Sequence, residues 1–498
     1  MSLDVVRSIA KNTSVMMASQ VITWISSFIL MLLLPRYLGT EDYGRLYLAI
    51  SLSLISQSVI EFGGPFLVAK EISRSADKAA MMLSNSLILR FTLWIISTLA
   101  IIGISFAFGY SSQVRLLIAI LGISKLWEGS GRVISSCFQG FEMMQFPSLG
   151  AIVEKIVVAA LGVAALLTGF HAILIAIIMA MSTFINFGIQ AFYIRRLIPR
   201  IPPFDWSEVR YLIKAGVPYF LWSVCAIIYY RIDAVMLSLM APERVVGWYG
   251  AAYRLFDVLM FLPSIYSTAL FPVLSKSWGK NDQVLAQTTQ KSVDYILLAG
   301  IPISIIIFTF SRQIIELLFG LKEYGPSVVL LQIFAVGLLL VYIDFILVST
   351  IIASEKTRQW TIAAFFAMLL NPLLNYFFIP YTEVHMGNGG IGSAIATHIT
   401  EFAVMCMALY LVPRSIFQHS KVSAQVKGIA AGVLMIAVLF LVSTKNIPFV
   451  IQAIIGLFVY IGGLLALKGF PFSDIVILRE ALLMNRHEKT LASERGVN

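Results

Sequence analysis

Lys125, Glu128 and Arg132 recur at i, i+3 and i+7 along an otherwise apolar stretch, so on a helix they form one stripe of one face. Glu128 followed by Arg132 is also the favourable i, i+4 order for an ion pair. Arg254 and Asp257 share a face in the same way, whereas Glu154 and Lys155 are neighbours and point apart. The basic side chains set within apolar stretches are Arg90, Lys125, Arg132, Lys155, Arg231 and Arg254. They are the candidate set for gripping an anion, because guanidinium and ammonium groups match phosphate oxygens, Arg bidentately. The acids in the same stretches are Glu61, Glu128, Glu154, Asp233, Asp257, Asp344 and Glu401. Six bases against seven acids leave a second arrangement open, in which the charges pair with one another and fix helix packing. Asp344 has no basic residue within two turns, and with Glu61, Glu401, Asp233 and Asp257 it is a candidate site for a proton or cation that drives transport.

Other chemistry is poorly represented. There is no Walker loop, no HExxH and no nucleophile elbow, so the chain is not expected to be an enzyme, to hydrolyse ATP or to need a cofactor or metal. Cys137, Cys225 and Cys406 stand singly in apolar stretches and are read as small buried hydrophobes. His398 is read as a hydrogen-bonded packing residue. A net charge of +10 without a basic block interleaved with aromatics gives no footprint for nucleic acid.

The elements that hold these charges are membrane helices. Hydrophobic residues make up 59% of the chain and charged ones 12%, about half the share of a soluble domain. Fourteen apolar stretches are long enough to span a bilayer, which takes about 20 residues each. They run near 13–35, 42–69, 81–108, 114–138, 147–169, 171–195, 211–238, 247–274, 288–310, 327–354, 358–380, 389–411, 422–443 and 447–468. A charge inside such a helix costs roughly 2.5–3.5 kcal/mol on insertion, so it normally faces a wet or protein-lined interior. Thirteen charges imply a polar cavity. The expected fold is therefore all-α, a polytopic membrane protein of about fourteen transmembrane helices. With the N-terminus inside, 23 Lys and Arg fall on the inner side and 7 on the outer, which places both termini in the cytoplasm. Every loop is short, so a soluble catalytic domain has no room.

The longest inner connection, from Arg195 to Lys214, holds Asp205-Trp206-Ser207-Glu208, which resembles a capping box opening a short amphipathic helix on the inner surface. It divides the chain near residue 200, where a repeat would join. Leu34 to Ala49 and Leu237 to Ala252 align without gaps at an offset of 203, matching Leu34 with Leu237, Gly44 with Gly247 and Ala49 with Ala252. An even number of spans separates them, so the repeat is parallel and a cargo site would lie between the halves. The expected parts are a first six-helix lobe over 1–200, a second over 201–415, two further helices over 416–468 and a cytoplasmic tail over 469–498. Pro218, Pro263, Pro302 and Pro372 mark kinks or helix ends.

At Leu34 to Ala49 (LPRYLGTEDYGRLYLA) the chain resembles the polysaccharide-exporter branch of the multidrug/oligosaccharidyl-lipid/polysaccharide flippase superfamily. YRIDAVMLSLMAPERVVGWYGAAYRLFD from Tyr230 is similar to that family's seventh and eighth helices, and Leu270 to Ser275 to its helix-eight exit. Asn371-Pro372-Leu373-Leu374-Asn375 and Gly389 to Thr397 are similar to its eleventh and twelfth helices. The resemblance implies two six-helix lobes plus two C-terminal helices around a central, cationic cavity. It implies that polyprenyl-diphosphate-linked oligosaccharide is flipped across the cytoplasmic membrane by alternating access for cell-surface polysaccharide, such as O-antigen. Membrane lipid, a polysaccharide polymerase and other pathway proteins are then the expected partners. The alternatives are an ion-coupled multidrug antiporter of the same superfamily and a membrane-embedded transferase or polymerase acting on the same lipid.

Overall fold

A computed structural model describes residues 3–200, 202–414, 416, 423–443 and 447–469; of 3–18, 31, 66 and 423 it describes the backbone only. The expected tail beyond 469 lies outside the described residues. The helices in chain order are α1 (Leu3–Glu61), α2 (Gly64–Arg74), α3 (Ala79–Ala107), α4 (Ser112–Gly140), α5 (Gln145–Leu167) and α6 (Ala172–Leu197). There follow α7 (Trp206–Met240), α8 (Glu243–Leu259), α9 (Phe261–Ser277), α10 (Asp282–Thr309), α11 (Ser311–Leu318) and α12 (Leu321–Tyr324). The last are α13 (Ser327–Ala353), α14 (Thr357–Met386), α15 (Gly389–Leu411), α16 (Ser423–Ser443) and α17 (Phe449–Ala466). No strand occurs among the described residues. The chain is an all-α, multi-pass membrane protein.

Twelve of these segments are long and apolar enough to cross a bilayer. Two features separate that number from fourteen. One crossing segment, Ser19–Glu61, is 43 residues long, about twice a span, and is broken at Gly39, whose φ of 74° no residue with a side chain adopts easily. The 29-residue α4 lies outside the twelve, because its charged stripe lowers its mean hydropathy.

Local sequence sets most helix ends. Gly63, at φ 66°, and the following Gly64-Pro65 break the second span near its end, so α2 is a separate helix. Ser111 caps α4 by accepting from the Val114 amide, and Asn281 caps α10 through the Val284 amide. Asp205 caps α7, accepting from the Ser207 amide at 2.8 Å and the Ser207 hydroxyl at 2.7 Å. Those two donors hold its carboxyl below the usual carboxylate range, the hydroxyl first. The short surface helix expected there is instead the first turn of α7, which runs unbroken for 35 residues through Pro218. The expected eighth span breaks at Met260 into α8 and α9.

Two compact units emerge from the packing. The first comprises residues up to Leu259 with Ile314–Phe334 and Arg358–Val404; the second comprises Met260–Gln313, Ala335–Thr357 and the chain from Met405. In the second, Tyr460 of α17 donates to the Leu298 carbonyl and Gln425 of α16 to Asp294, which fastens the two last helices to α10.

In the first unit α1 crosses α8 with unusual intimacy. A Cβ on Gly44 would overlap the Glu243 carbonyl oxygen, and one on Gly247 would overlap the Thr40 carbonyl oxygen. These contacts are reciprocal at the repeat offset of 203, since Thr40 corresponds to Glu243 and Gly44 to Gly247. Arg45 reinforces the crossing by pairing with Asp42 at 2.8 Å and with Glu243 across the interface.

Candidate functional site

In the first unit lies a cavity of about 760 Å³ lined mainly by α1, α4, α5 and α6, with Arg254 of α8 reaching its wall. Its charged lining is Lys125, Glu128, Arg132, Glu154, Lys155 and Arg254. Four of the six basic residues singled out from sequence therefore meet in one hollow.

Helical spacing positions them. On α4 the Glu128 carboxylate sits between its two partners, with Lys125 Nζ at 2.6 Å and Arg132 Nη2 at 3.2 Å. Arg132 also turns its Nε to Glu61 of α1 at 2.8 Å, and Gln57 steadies Glu61 from one turn earlier at 2.8 Å. On α5, adjacency does not keep Glu154 and Lys155 apart: they close an ion pair at 2.8 Å. Glu154 also accepts from Asn186 of α6 at 2.7 Å. Asn186 then accepts from Gln190, and Gln190 from Ser135 of α4, each at 2.7 Å. The wall is thus one hydrogen-bonded chain across three helices.

Arg254 differs from the other three. Among the described residues it makes no ion pair, and its guanidinium stands beside the Tyr43 hydroxyl. Asp257, on the same face of α8, pairs instead with Arg231 of α7 at 3.5 Å.

Arg90 and Arg231 do not line the cavity. Arg90 is 2% exposed and packed on Gly64, whose missing side chain makes its room. Its Nε and Nη2 have no hydrogen-bond partner among the described residues. Arg231 is held by Asp257 and lies 5.8 Å from the centre of the Tyr253 ring.

The candidate coupling acids are scattered. Glu61 and Asp257 are ion-paired as described. Asp344 of α13 is buried in the second unit, and Glu401 of α15 is buried against Tyr229 of α7. Asp233 of α7 has the most ordered surroundings. It is 3% exposed and accepts from Tyr249 at 2.8 Å, Asn375 at 2.7 Å and Thr397 at 2.8 Å. Asn371 completes the group by accepting from Asn375 at 2.8 Å. Every group hydrogen-bonded to Asp233 among the described residues is neutral. The two asparagines sit at i, i+4 on α14, a spacing visible in the sequence but not recognised there as the surround of a buried acid.

His398 bonds the Ile333 carbonyl at 2.8 Å, as a packing histidine should. Cys137 and Cys225 are buried, while Cys406 is exposed rather than buried.

The pattern of the family described as "Polysaccharide biosynthesis protein" matches residues 9–278, more than half of the chain. The chain belongs to the polysaccharide biosynthesis protein family. A second pattern, MatE, matches residues 218–377, which sets this family member within the multidrug/oligosaccharidyl-lipid/polysaccharide flippase superfamily. The family member is 28% identical over 319 residues to a protein named probable lipid II flippase MurJ from Buchnera aphidicola subsp. Acyrthosiphon pisum, covering 58% of this chain and 60% of that one. It is 24% identical over 264 residues to the protein of the same name from Buchnera aphidicola subsp. Baizongia pistaciae, covering 50% and 49%. The matches thus span between half and three fifths of the length of these curated relatives. In fold it is similar to a solved lipid II flippase MurJ in an inward closed conformation, with TM-score 0.73 at 17% identity over 92% of this chain and 100% of that one. An inward-facing multidrug resistance MATE family transporter gives 0.67 at 16% identity over 80% and 96%. These relatives are named as flippases and transporters, not catalysts.

Proposed function

We propose that the chain translocates polyprenyl-diphosphate-linked oligosaccharide across the cell membrane by alternating access, in a pathway that builds cell-surface polysaccharide. One observation carries this reading: a cavity walled by four basic and two acidic side chains, in which Arg254 has no carboxylate partner among the described residues. A diphosphate is the anion that such a wall fits. Arg254 offers a planar fork of donors engaged in no ion pair among the described residues, while Arg132 and Lys155 have further N–H donors beyond those their carboxylates hold. The polyprenyl tail stays in lipid while the sugars occupy the polar hollow. The names of the MurJ relatives agree with a lipid-linked cargo.

Asp233 is the candidate that best suits coupling, since a buried carboxylate with only neutral donors around it can take up a proton or a small cation. Both termini are cytoplasmic in this proposal, following the inner excess of Lys and Arg. The two six-helix lobes meet at the reciprocal Gly44 and Gly247 crossing, and a polysaccharide polymerase acts downstream.

Reconstituted full-length chain should move a fluorescent polyprenyl-diphosphate oligosaccharide between leaflets, read by quenching from outside, and Arg254→Gln should lose most of that movement. No translocation by correctly inserted protein would overturn the proposal. The same Asp233 surround also suits an ion-coupled multidrug antiporter. Drug sensitivity in a deletion strain with unchanged surface sugars would favour that second reading.

A further inference from the structure

The charged turns of α4 and α5 account for a diphosphate and leave the uncharged side of the cavity unassigned. Trp127, Gly131 and Ser135 follow at i, i+4 and i+8 along α4, and all three line the hollow. Asn186, Phe187 and Gln190 of α6 line it too. The Trp127 ring is half-buried and held in place, with Phe184 edge-on at 5.0 Å and Phe187 at 5.3 Å. Gly131 leaves a gap beside it, where a Cβ would meet only the Gln190 amide nitrogen, at 3.6 Å. Between Trp127 and Ser135 the floor is therefore open at Gly131, about 6 Å of helix axis from each.

The polar edge of this gap is uncharged and fixed in orientation. Ser135 donates to Gln190, and Gln190 donates to Asn186. Each of the two amides keeps a second N–H and a second carbonyl lone pair for a ligand. An aromatic side chain, a floor open at Gly131 and neutral amide edges together suit a pyranose ring. Its C–H face packs on indole while its hydroxyls exchange hydrogen bonds with the amides. A drug cation would want a free carboxylate, and the nearest one in this chain of contacts, Glu154, is already held by Lys155 and Asn186.

We propose that the slot formed by Trp127, Gly131 and Ser135 of α4 with Asn186 and Gln190 of α6 is a saccharide subsite, which takes the uncharged sugar joined directly to the diphosphate. Arg132 lines the same hollow as Gly131, so phosphate and first sugar share one cavity. This rests on the flippase reading and adds a determinant of which cargo is preferred.

The test uses full-length protein in lipid nanodiscs and two ligands, bare polyprenyl diphosphate and the same lipid bearing one N-acetylhexosamine. The unmodified chain should hold the glycosylated lipid roughly tenfold tighter, the scale of one well-packed aromatic contact with its hydrogen bonds. Gly131→Phe fills the slot and Trp127→Ala removes its face, so each should bring the two affinities together. Gly131→Ala, whose Cβ would sit at ordinary contact distance, should keep the preference. Because both ligands are measured on one preparation, loss of both identifies a misfolded variant, and Gly131→Leu then replaces Gly131→Phe. A preference that persists with the slot filled, or equal affinities in the unmodified chain, would overturn the subsite and leave the flippase reading standing. Failure of the unmodified chain to bind either lipid would overturn both.

Discussion

Asp257 closes on Arg231 of the neighbouring helix, at 3.5 Å, and not on Arg254 one turn away on its own. Helical spacing alone permits either pairing. Asp257 has a second cation within reach across the α7 and α8 contact, and it takes that one. The cross-helix pair ties two helices together, and it leaves the cavity its one basic side chain with no ion pair among the described residues.

That division of labour predicts opposite phenotypes for neighbouring positions. Asp257→Asn should destabilise the protein by about 1–2 kcal/mol, because it strands the mostly buried Arg231, and should leave cargo affinity largely intact. Arg254→Gln should leave thermal stability nearly unchanged while weakening diphosphate-lipid binding about tenfold or more. Thermal unfolding in detergent and lipid binding, measured on both variants, check the pair. A stability loss in Arg254→Gln would mean that its charge is structural.

Arg90 should behave unlike the cavity cations. It is buried with two donor nitrogens unbonded, so its charge costs more than it returns. Arg90→Met, similar in length and without charge, should be neutral or stabilising by about 1–3 kcal/mol, with cargo affinity within about twofold of normal. Loss of binding in that variant, with stability intact, would show that Arg90 reaches the cargo in another conformation.

The Gly44 and Gly247 crossing admits no side chain without moving backbone. Gly247→Ala would push the methyl group into the Thr40 carbonyl oxygen. The expected result is a protein that still inserts into the membrane but whose α1 and α8 separate at this end. A cysteine placed at Thr40 should then react faster with a membrane-impermeant maleimide than in the Gly247 background. Gly44→Ala should match it, because the contact is reciprocal. Unchanged labelling in both would show that the crossing yields elsewhere.

Much of this was legible in the sequence because membrane helices announce themselves by length and hydropathy, and because charge inside them is scarce. The stripe of Lys125, Glu128 and Arg132 follows from periodicity alone, and the residue types at Asp205-Trp206-Ser207-Glu208 mark a helix start, though not that the helix is α7 itself. What periodicity cannot supply is the partner across a helix interface. It does not reveal that Asp257 turns to Arg231, that Arg132 reaches Glu61 of α1, or that Arg90 packs on Gly64 away from the hollow. Nor does it say that Asn186 and Gln190 join Glu154 to Ser135, since uncharged polar residues raise no alarm in an apolar run. The offset of 203 was faint as a sequence match of a few residues, and it did not reveal that Gly44 packs on the Glu243 carbonyl and Gly247 on the Thr40 carbonyl.

Asp233 offers the sharpest separation of binding from turnover. Its carboxylate accepts three hydrogen bonds from Tyr249, Asn375 and Thr397 while buried at 3% exposure. Asp233→Asn keeps the shape but removes the charge, and it turns one acceptor oxygen into an NH2 group that faces donors. The mismatch should cost about 1–3 kcal/mol of stability, which a folded helical core can survive. Cargo binding depends on the cavity cations and should stay near normal, whereas turnover driven by an ion gradient should fall at least about tenfold. Applying a sodium gradient and a proton gradient separately to proteoliposomes identifies which ion the unmodified chain uses, and the variant should respond to neither. If Asp233→Asn still accelerates under the gradient that drives the unmodified chain, Asp233 is a packing acid and the coupling site lies among the other buried carboxylates.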